Sequence, residues 1–515
     1  MADLEVDVCI IGSGPAGAIL ASQLIGRGKR IAIIEQGAWN DAASQQTRMD
    51  AGYAAQISLP APHLHVPMSV RSSANYMYFQ VKKVGGNSRL WGGWTPRGLE
   101  QQFTMQTSYQ VGVDWPIGYA ELEPYYARAE EELGVGGEAR PDDRPWRSGP
   151  YPLPPIEVDY AGKLFGDACE RLGYGWERVQ VARPTVPYRG RPACRACNIT
   201  NCMCCPTTAR YKSDVHLAQV LTDPDAVLLT ETIAARLERG DNGRIRALRC
   251  FKPDRSEQTI VASTFVVAAN AVGNAHLLLM SELPAQSAAL GRYYMGHPVI
   301  EHLAQVDRSV LAARSPFTVV SRHFESGEHL REAAGFRMFI NGADLSPTMH
   351  GLRLVDQGMY GAPFKSALKE RSTRGMRTSV VTDCLPHADN RVELDRDNVD
   401  HFGRPGLRVT YNYTDYEQRG RELGARHMRH VLAEMGATEI SEATYDMAHQ
   451  IGTTRMGDDP TTSVVDRELR VHGVDNLYVA GASVFPTALG ATNPTLTLSA
   501  LSLRLARHMR ERGVA

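Results

Sequence analysis

The feature that most constrains the fold lies at the start of the chain. A near-continuous apolar run, VDVCIIG, leads into Gly12, Gly14 and Gly17 at G-x-G-x-x-G spacing; helical spacing follows, and then a second apolar run, RIAIIEQG, reaches Glu35. Short apolar runs bounded by turn residues suit parallel strands buried on both faces. The glycines have separate jobs: Gly12 permits the tight turn, Gly14 lets backbone N–H groups approach a pyrophosphate, and Gly17 lets the helix pack on the strand. Glu35, 23 positions after Gly12, suits the ribose hydroxyls, and the N-terminus of the intervening helix favours an anion. Strand, turn, helix and acid together predict a dinucleotide-binding βαβ unit.

The remainder of a 515-residue chain exceeds what one hydrophobic core supports, so two interlocked domains or one domain with a large insertion are expected. Lys plus Arg (56) balances Asp plus Glu (57), and no Lys/Arg-rich run occurs. This excludes a nucleic-acid footprint and electrostatic attraction to anionic lipid. The apolar runs 266–269 and 277–280 are broken by Asn270, Asn274 and His276, well short of the ~20 residues that span a bilayer, and no membrane partner is expected. No basic leader with an apolar stretch is visible, and cytoplasmic residence is the expectation.

Residues 42–83 lose all periodicity and read as a lid or an interface arm. Residues 228–260 read as short strands of a meander, followed by the buried strand STFVVAAN. From 298 to 413 apolar and polar residues alternate, as in RVELD and LRVTYNY, which predicts an antiparallel sheet with one wet face. Residues 415–435 form a charged helix-like stretch, and the chain closes with strand, loop and a long helix opening at Asn493 and Pro494. Asn is favoured at an N-cap and Pro at the first helical position, so this helix offers free N–H groups and its dipole to an anion. Dinucleotide signals at both ends require a cofactor domain assembled from separated segments. We assign it 1–40, 80–105, 205–297 and 447–515, with 106–204 and 298–446 forming a substrate-binding domain and 41–79 a lid or oligomerisation arm. The fold class is α/β plus α+β: a discontinuous Rossmann-like domain with an antiparallel-sheet substrate domain.

His449 stands in HQIGTTRMG, between turn-forming glycines. A lone histidine is more often a satisfied core or surface residue than a catalyst. The motifs taken together change that weighting. G-x-G-x-x-G with Glu35, VGGNSRLWGG, DNRVELD, HQIGTTRMG and NLYVAGASVFPTALGATNPTLT stand in the order and at the separations of the glucose-methanol-choline (GMC) flavoenzymes, which the chain resembles over both its ends. Within that family TRMG, ASVFPTA and ATNPTLT are most similar to the pyranose oxidase branch and its bacterial glycoside 3-oxidase relatives.

The resemblance implies FAD as cofactor and oxidation of an alcohol carbon by hydride transfer to flavin N5. It implies that His449 and Asn493 hold the substrate hydroxyl before the flavin. A neutral imidazole can accept the hydroxyl proton, and an Asn amide can hydrogen-bond the developing alkoxide. Gly86, Asn87 and Ser88, with Trp91, match the loop along the isoalloxazine. Gly481 and Ala482 match the backbone beside the ribityl chain and pyrophosphate, Ile233 a backbone contact to adenine, and Pro494 and Thr495 the helix start that faces the flavin. Fungal pyranose oxidases attach the flavin through a histidine just before the Trp of this loop. Leu90 occupies that position here, so non-covalent FAD is expected. The implied substrate is a small-molecule sugar or glycoside, oxidised at a secondary hydroxyl, C3 of a glucosyl unit, with oxygen or a quinone-like acceptor receiving the electrons. A GMC dehydrogenase of a non-sugar alcohol and a non-catalytic flavin-binding protein are the alternatives, and a homo-oligomer stands beside the lid reading of residues 41–79.

Nine cysteines are present, five of them in the cluster Cys194, Cys197, Cys202, Cys204 and Cys205. Free buried thiols are the leading reading, with tetrahedral zinc and a local disulfide as alternatives. No metal ligand is assigned.

Overall fold

The computed structural model describes residues 3–39, 61–76, 80–139, 145–197, 202, 205–281, 283, 287–310, 316–343, 347–445 and 449–514. The chain first forms β1 (Leu4–Ile11), α1 (Pro15–Ser22), β2 (Ile31–Ile34), β3 (Met68–Ser72), α2 (Met105–Tyr109), α3 (Tyr119–Leu133) and α4 (Tyr160–Arg171). It continues through β4 (Glu177–Arg178), α5 (Asp214–Val220), β5 (Ala226–Leu229), β6 (Ile233–Arg239), β7 (Ile245–Phe251), β8 (Glu257–Val267), α6 (Asn270–Ser281), β9 (Val299–Val306) and β10 (Val319–Ser321). There follow β11 (Phe336–Ala343), α7 (Pro347–Asp356), α8 (Gly361–Arg374), β12 (Gly375–Thr382), β13 (Arg391–Val399), β14 (Pro405–Tyr411), α9 (Asp415–Glu434), β15 (Ala437–Tyr445), β16 (Leu477–Val479) and α10 (Pro494–Glu511).

The first sheet runs β5-β2-β1-β8-β7-β6, with β16 also paired to β8. β5, β2, β1, β8 and β16 are mutually parallel, and β6–β7–β8 form an antiparallel meander. The expected βαβ unit is therefore present, and its all-buried β2 explains the unbroken apolar run. The meander expectation needs one correction: β5 does not belong to it but extends the parallel edge beside β2. α1 and α10 pack together on this sheet, and the core joins β1, β2 and β8 to both helices through Ile10, Ile33, Val266, Leu20 and Leu501.

The second sheet, β15-β9-β12-β11-β10-β4, is antiparallel. Ile300, Phe336, Met338, Ile340 and Val380 cover one face with α4 and α9. The wet face expected of this region is instead largely buried, because Val299, Val320, Phe339 and Val381 meet Trp94 and Ala491. Both faces of this sheet are therefore packed. RVELD and LRVTYNY lie outside it, in a three-stranded sheet β13-β14-β3 packed on α6 through Val392, Leu407, Val409, Val272 and Ala275. Here the outer face is wet, since the end of β13 is exposed.

Residues 68–72 of the 41–79 stretch thus supply β3, parallel to β14. Residues 40–60 and 77–79, on which the lid or arm reading chiefly rests, lie outside the described residues. Among the described residues no helix is long and apolar enough to cross a membrane.

Candidate active site

The turn after β1 builds a cradle whose tight and open positions are distinct. A Cβ at Gly12 would lie 2.3 Å from the Ala268 carbonyl oxygen, and one at Gly17 would lie 2.1 Å from the Gly12 oxygen. Gly14 and Gly481 are the opposite case: a Cβ there meets nothing within 4 Å. Gly14 caps α1 without a side-chain hydrogen bond, so the N–H groups of the first turn face open space. Glu35, one residue past β2, accepts from Ser13 Oγ (2.6 Å) and from the Gly37 N–H (2.8 Å). Burial raises its pKa against the pull of those hydrogen bonds. The Thr232 N–H donates to the Glu35 carbonyl (3.0 Å), which brings Ile233 to the same rim.

The Gly-rich loop is tied to that turn. Ser13 Oγ accepts from the Gly85 N–H (3.0 Å), and Gly86 stands against Gly14, a Cβ on it lying 3.5 Å from the Gly14 Cα. Asn87 Oδ1 accepts from the Val81 N–H (2.8 Å), and Ser88 Oγ donates to the Gly85 carbonyl (2.6 Å). Trp91 Nε1 donates to the Tyr211 carbonyl (2.9 Å). Arg210, which sequence reading did not single out, is buried and donates to the carbonyls of Ser88, Arg89 and Trp91. Three carbonyls held by one guanidinium fix the curvature of the loop.

At the other end of the cradle the residues after His449 run beside the turn after β16. Gly452, Thr454 and Met456 donate their N–H groups to the carbonyls of Ala482, Ser483 and Val484. This pairing brings the segment that follows His449 alongside the turn after β16, although 30 positions separate Gly452 from Ala482. Asn493 is at the N-cap of α10 with extended backbone, but its side chain makes no capping bond. It turns away instead, and Asn493 Nδ2 lies 2.9 Å from His449 Nε2. The expectation of an Asn N-cap holds for the position and fails for the side chain. Pro494 has no N–H, and the N–H groups from Thr495 onward take no cap bond from Asn493.

Behind this pair stands His297, its Nδ1 2.8 Å from His449 Nδ1 and its Nε2 2.7 Å from the Gly490 carbonyl. Burial pushes the pKa of His297 down to about 4, and burial, His297 and Arg337 hold that of His449 well below the ordinary imidazole value. Both shifts favour the neutral ring, and His449 is only partly buried.

Arg337 of β11 is 1 % exposed, as is Glu325. The guanidinium donates to Glu325 (2.6 Å), to Thr492 Oγ1 (3.0 Å) and, at 3.5 Å, to Asn493 Oδ1. Arg322 holds the other Glu325 oxygen at 2.5 Å. Glu177, 3.9 Å from Arg322, completes a cluster of two arginines and two carboxylates, in which Arg337 is the charged group that reaches the Asn493 amide. His297, Arg337, Glu325 and Arg210 were all missed in the sequence.

Family models described as GMC oxidoreductase match residues 10–299 and 386–502. The chain belongs to the GMC oxidoreductase family. It is 30% identical to the fructose dehydrogenase large subunit of Gluconobacter japonicus over 98% of this chain and 97% of the relative. It is also 30% identical to 6'''-hydroxyparomomycin C oxidase of Streptomyces lividus, over 98% and 91%. Pyridoxine 4-oxidase from Mesorbium loti shares the fold, with a TM-score of 0.67 and 19% identity over 98% of this chain and 99% of that one.

As a GMC oxidoreductase the chain uses FAD and acts on CH–OH groups. The residues fit the cofactor. Open space before Gly14 and Gly481, the uncapped start of α1, a buried acid just past β2 and a start of α10 without a side-chain cap are the features a dinucleotide needs. Leu90, half-buried at the end of the Gly-rich turn, has no nucleophile to attach to a flavin. Cys194, Cys197, Cys202 and Cys205 are free thiols, and Arg183 donates to Cys202 Sγ (3.0 Å). Among the described residues no group of three His, Cys, Asp or Glu side chains is placed to hold a metal. Cys204 lies outside them.

Proposed function

We propose that this chain oxidises a secondary hydroxyl of a sugar or glycoside, C3 of a glucosyl unit, to the ketone. The observation that carries the chemistry is the 2.9 Å contact between Asn493 Nδ2 and His449 Nε2 at an open edge of the FAD cradle. Bound FAD supplies the acceptor for the carbinol hydride. A hydroxyl entering between the two side chains meets a lone pair on neutral His449 and a donor on Asn493. His449 accepts the hydroxyl proton at Nε2 as the carbinol hydrogen leaves as hydride. Asn493 Nδ2 donates to the oxygen while it carries negative charge, and the positive charge of Arg337 behind the amide favours that state. The sugar reading is supported by relatives named for fructose and for an aminoglycoside. Oxygen or a quinone-like acceptor then removes the electrons.

Anaerobic titration with glucose, and then with a plant-type glucoside, tests this by the flavin band at about 450 nm. Sugar should bleach the band, product analysis should place the ketone at C3, and H449A should keep the bound-flavin spectrum while losing reduction. Failure of every sugar to bleach would remove the sugar reading. Reduction of H449A at the wild-type rate would remove His449 as the base.

A further inference from the structure

His297 is brought to His449 by backbone pairing. The Met295 and Ile451 N–H groups donate to each other's carbonyls at 2.9 and 3.0 Å in an antiparallel bridge. Two residues along each strand from an antiparallel pair are again opposite and on the same face. From Met295 and Ile451 that step leads to 297 and 449. The ring planes stand 78° apart with 4.9 Å between centroids, and the contact between them runs from Nδ1 to Nδ1 at 2.8 Å.

Hydrogen-bond chemistry then assigns every proton. The Gly490 carbonyl can only accept, so His297 Nε2 donates to it. A neutral ring with its proton on Nε2 has a lone pair on Nδ1, so His449 Nδ1 must be the donor in the 2.8 Å contact. His449 therefore carries its proton on Nδ1 and its lone pair on Nε2, the atom facing Asn493. Resting on the reading of His449 as the base, we infer that His297 is a positioning residue, which locks His449 in the Nδ1–H tautomer and aims its Nε2 lone pair at the substrate hydroxyl.

Two consequences follow. When His449 gains a proton at Nε2, its Nδ1–H bond to His297 becomes charge-assisted and strengthens as the cation forms. The same Gly490 carbonyl that orients His297 lies three residues before Asn493, so the proton acceptor and the alkoxide donor are set from one loop.

Substitutions at 297 separate positioning from propping. H297N puts an amide oxygen near the place of Nδ1 and keeps an acceptor for His449, while giving up Gly490. H297Q reaches Gly490 and gives up His449. A tautomer lost from a catalytic histidine costs about 10⁴-fold in a serine protease triad. The flavin reduction rate should therefore stay within about tenfold of wild type in H297N and fall at least about 100-fold in H297Q and H297L, with KM in all three within about threefold. 15N NMR of the histidine-labelled holoenzyme, its His449 signals identified by their loss in H449A, should show His449 protonated at Nδ1 and bare at Nε2, and this holds whether or not any 297 variant folds. A faster H297Q than H297N would make His297 a prop for the Gly490 loop and overturn the inference. So would a His449 signal from the Nε2–H tautomer. Neither result depends on which alcohol is the substrate, and wild-type reduction rates in H449A would fail the underlying reading instead.

Discussion

Asp383, at the end of β12, is buried beneath the Arg337–Glu325 pair and accepts from the Cys384 N–H at 2.7 Å. Burial first, and then the neighbouring Glu417 and Glu325 against the pull of Arg337, push its pKa up to about 8. The folded protein thus binds this proton more tightly than the unfolded chain, where an aspartate titrates near ~3.9. Stability from this carboxyl is present below about pH 4 and is lost as pH rises towards about 8. His297 and His276, both lowered to about 4, act the other way, and their stability is lost as pH falls from ~6.5 to about 4. D383N, a neutral mimic of the protonated carboxyl, should unfold at a higher temperature than wild type at pH 8, and the gap should close by pH 4. Equal differences at both pH values would show that Asp383 is not protonated in the folded state. At this scale the cradle glycines were legible from their spacing between strand and helix, whereas His449 and Asn493 carried little signal alone and were singled out through the family resemblance, before the structure set them 2.9 Å apart. His297, Arg337 and Glu325 were not: His297 finds His449 152 positions away, and Arg337 finds Asn493 156 positions away. A His before Pro298 or an Arg in an alternating strand gives no signal until register is known.

Turns and caps are the element-scale devices, and α1 shows how they divide the work. Gly14 already has φ −66, which alanine adopts freely, and nothing lies within 4 Å of its added methyl. G14A should leave apoprotein stability within ~0.5 kcal/mol while weakening FAD binding at least about tenfold, since the methyl occupies the space for the pyrophosphate. G17A drives a Cβ to 2.1 Å from the Gly12 oxygen and should cost the apoprotein about 1–3 kcal/mol or more through overpacking. Thermal unfolding of the two apoproteins with FAD titration separates them, and equal losses of stability would show the Gly14 side of the turn to be packed. The βαβ unit was readable because its periods and glycines act within 35 residues of the N-terminus. β3 was not, because MSVRS is short and half-polar and its strand partner β14 lies more than 330 positions away. The misread wet face has the same origin: alternation reports which residues share a face, not what covers it.

At the scale of the whole molecule, segments from both ends and the middle of the chain meet at the cradle. Its parallel sheet draws β1 and β2 from the first 34 residues, β5 and β8 from the middle and β16 from 477–479, so its contacts are among the most non-local in the chain. The cradle meets the antiparallel sheet through Trp94 with Phe339 (4.6 Å between centroids) and through Arg337 with Thr492 and Asn493. A ligand touching the turn after β1, the Gly-rich loop, the turn after β16 and the start of α10 links all of these segments at once. Because Leu90 offers no attachment, acid precipitation should leave the protein colourless and the flavin in solution. The apoprotein should then unfold at a lower temperature, and FAD at about 100 times its Kd should restore about 2.7 kcal/mol. In a chain of this length that amounts to a few degrees. Flavin fluorescence and far-UV circular dichroism should report one coincident transition in the holoprotein. Yellow precipitated protein would show a covalent bond from a residue other than Leu90, and an apoprotein as stable as the holoprotein would mean that the separated segments hold the cradle closed without FAD.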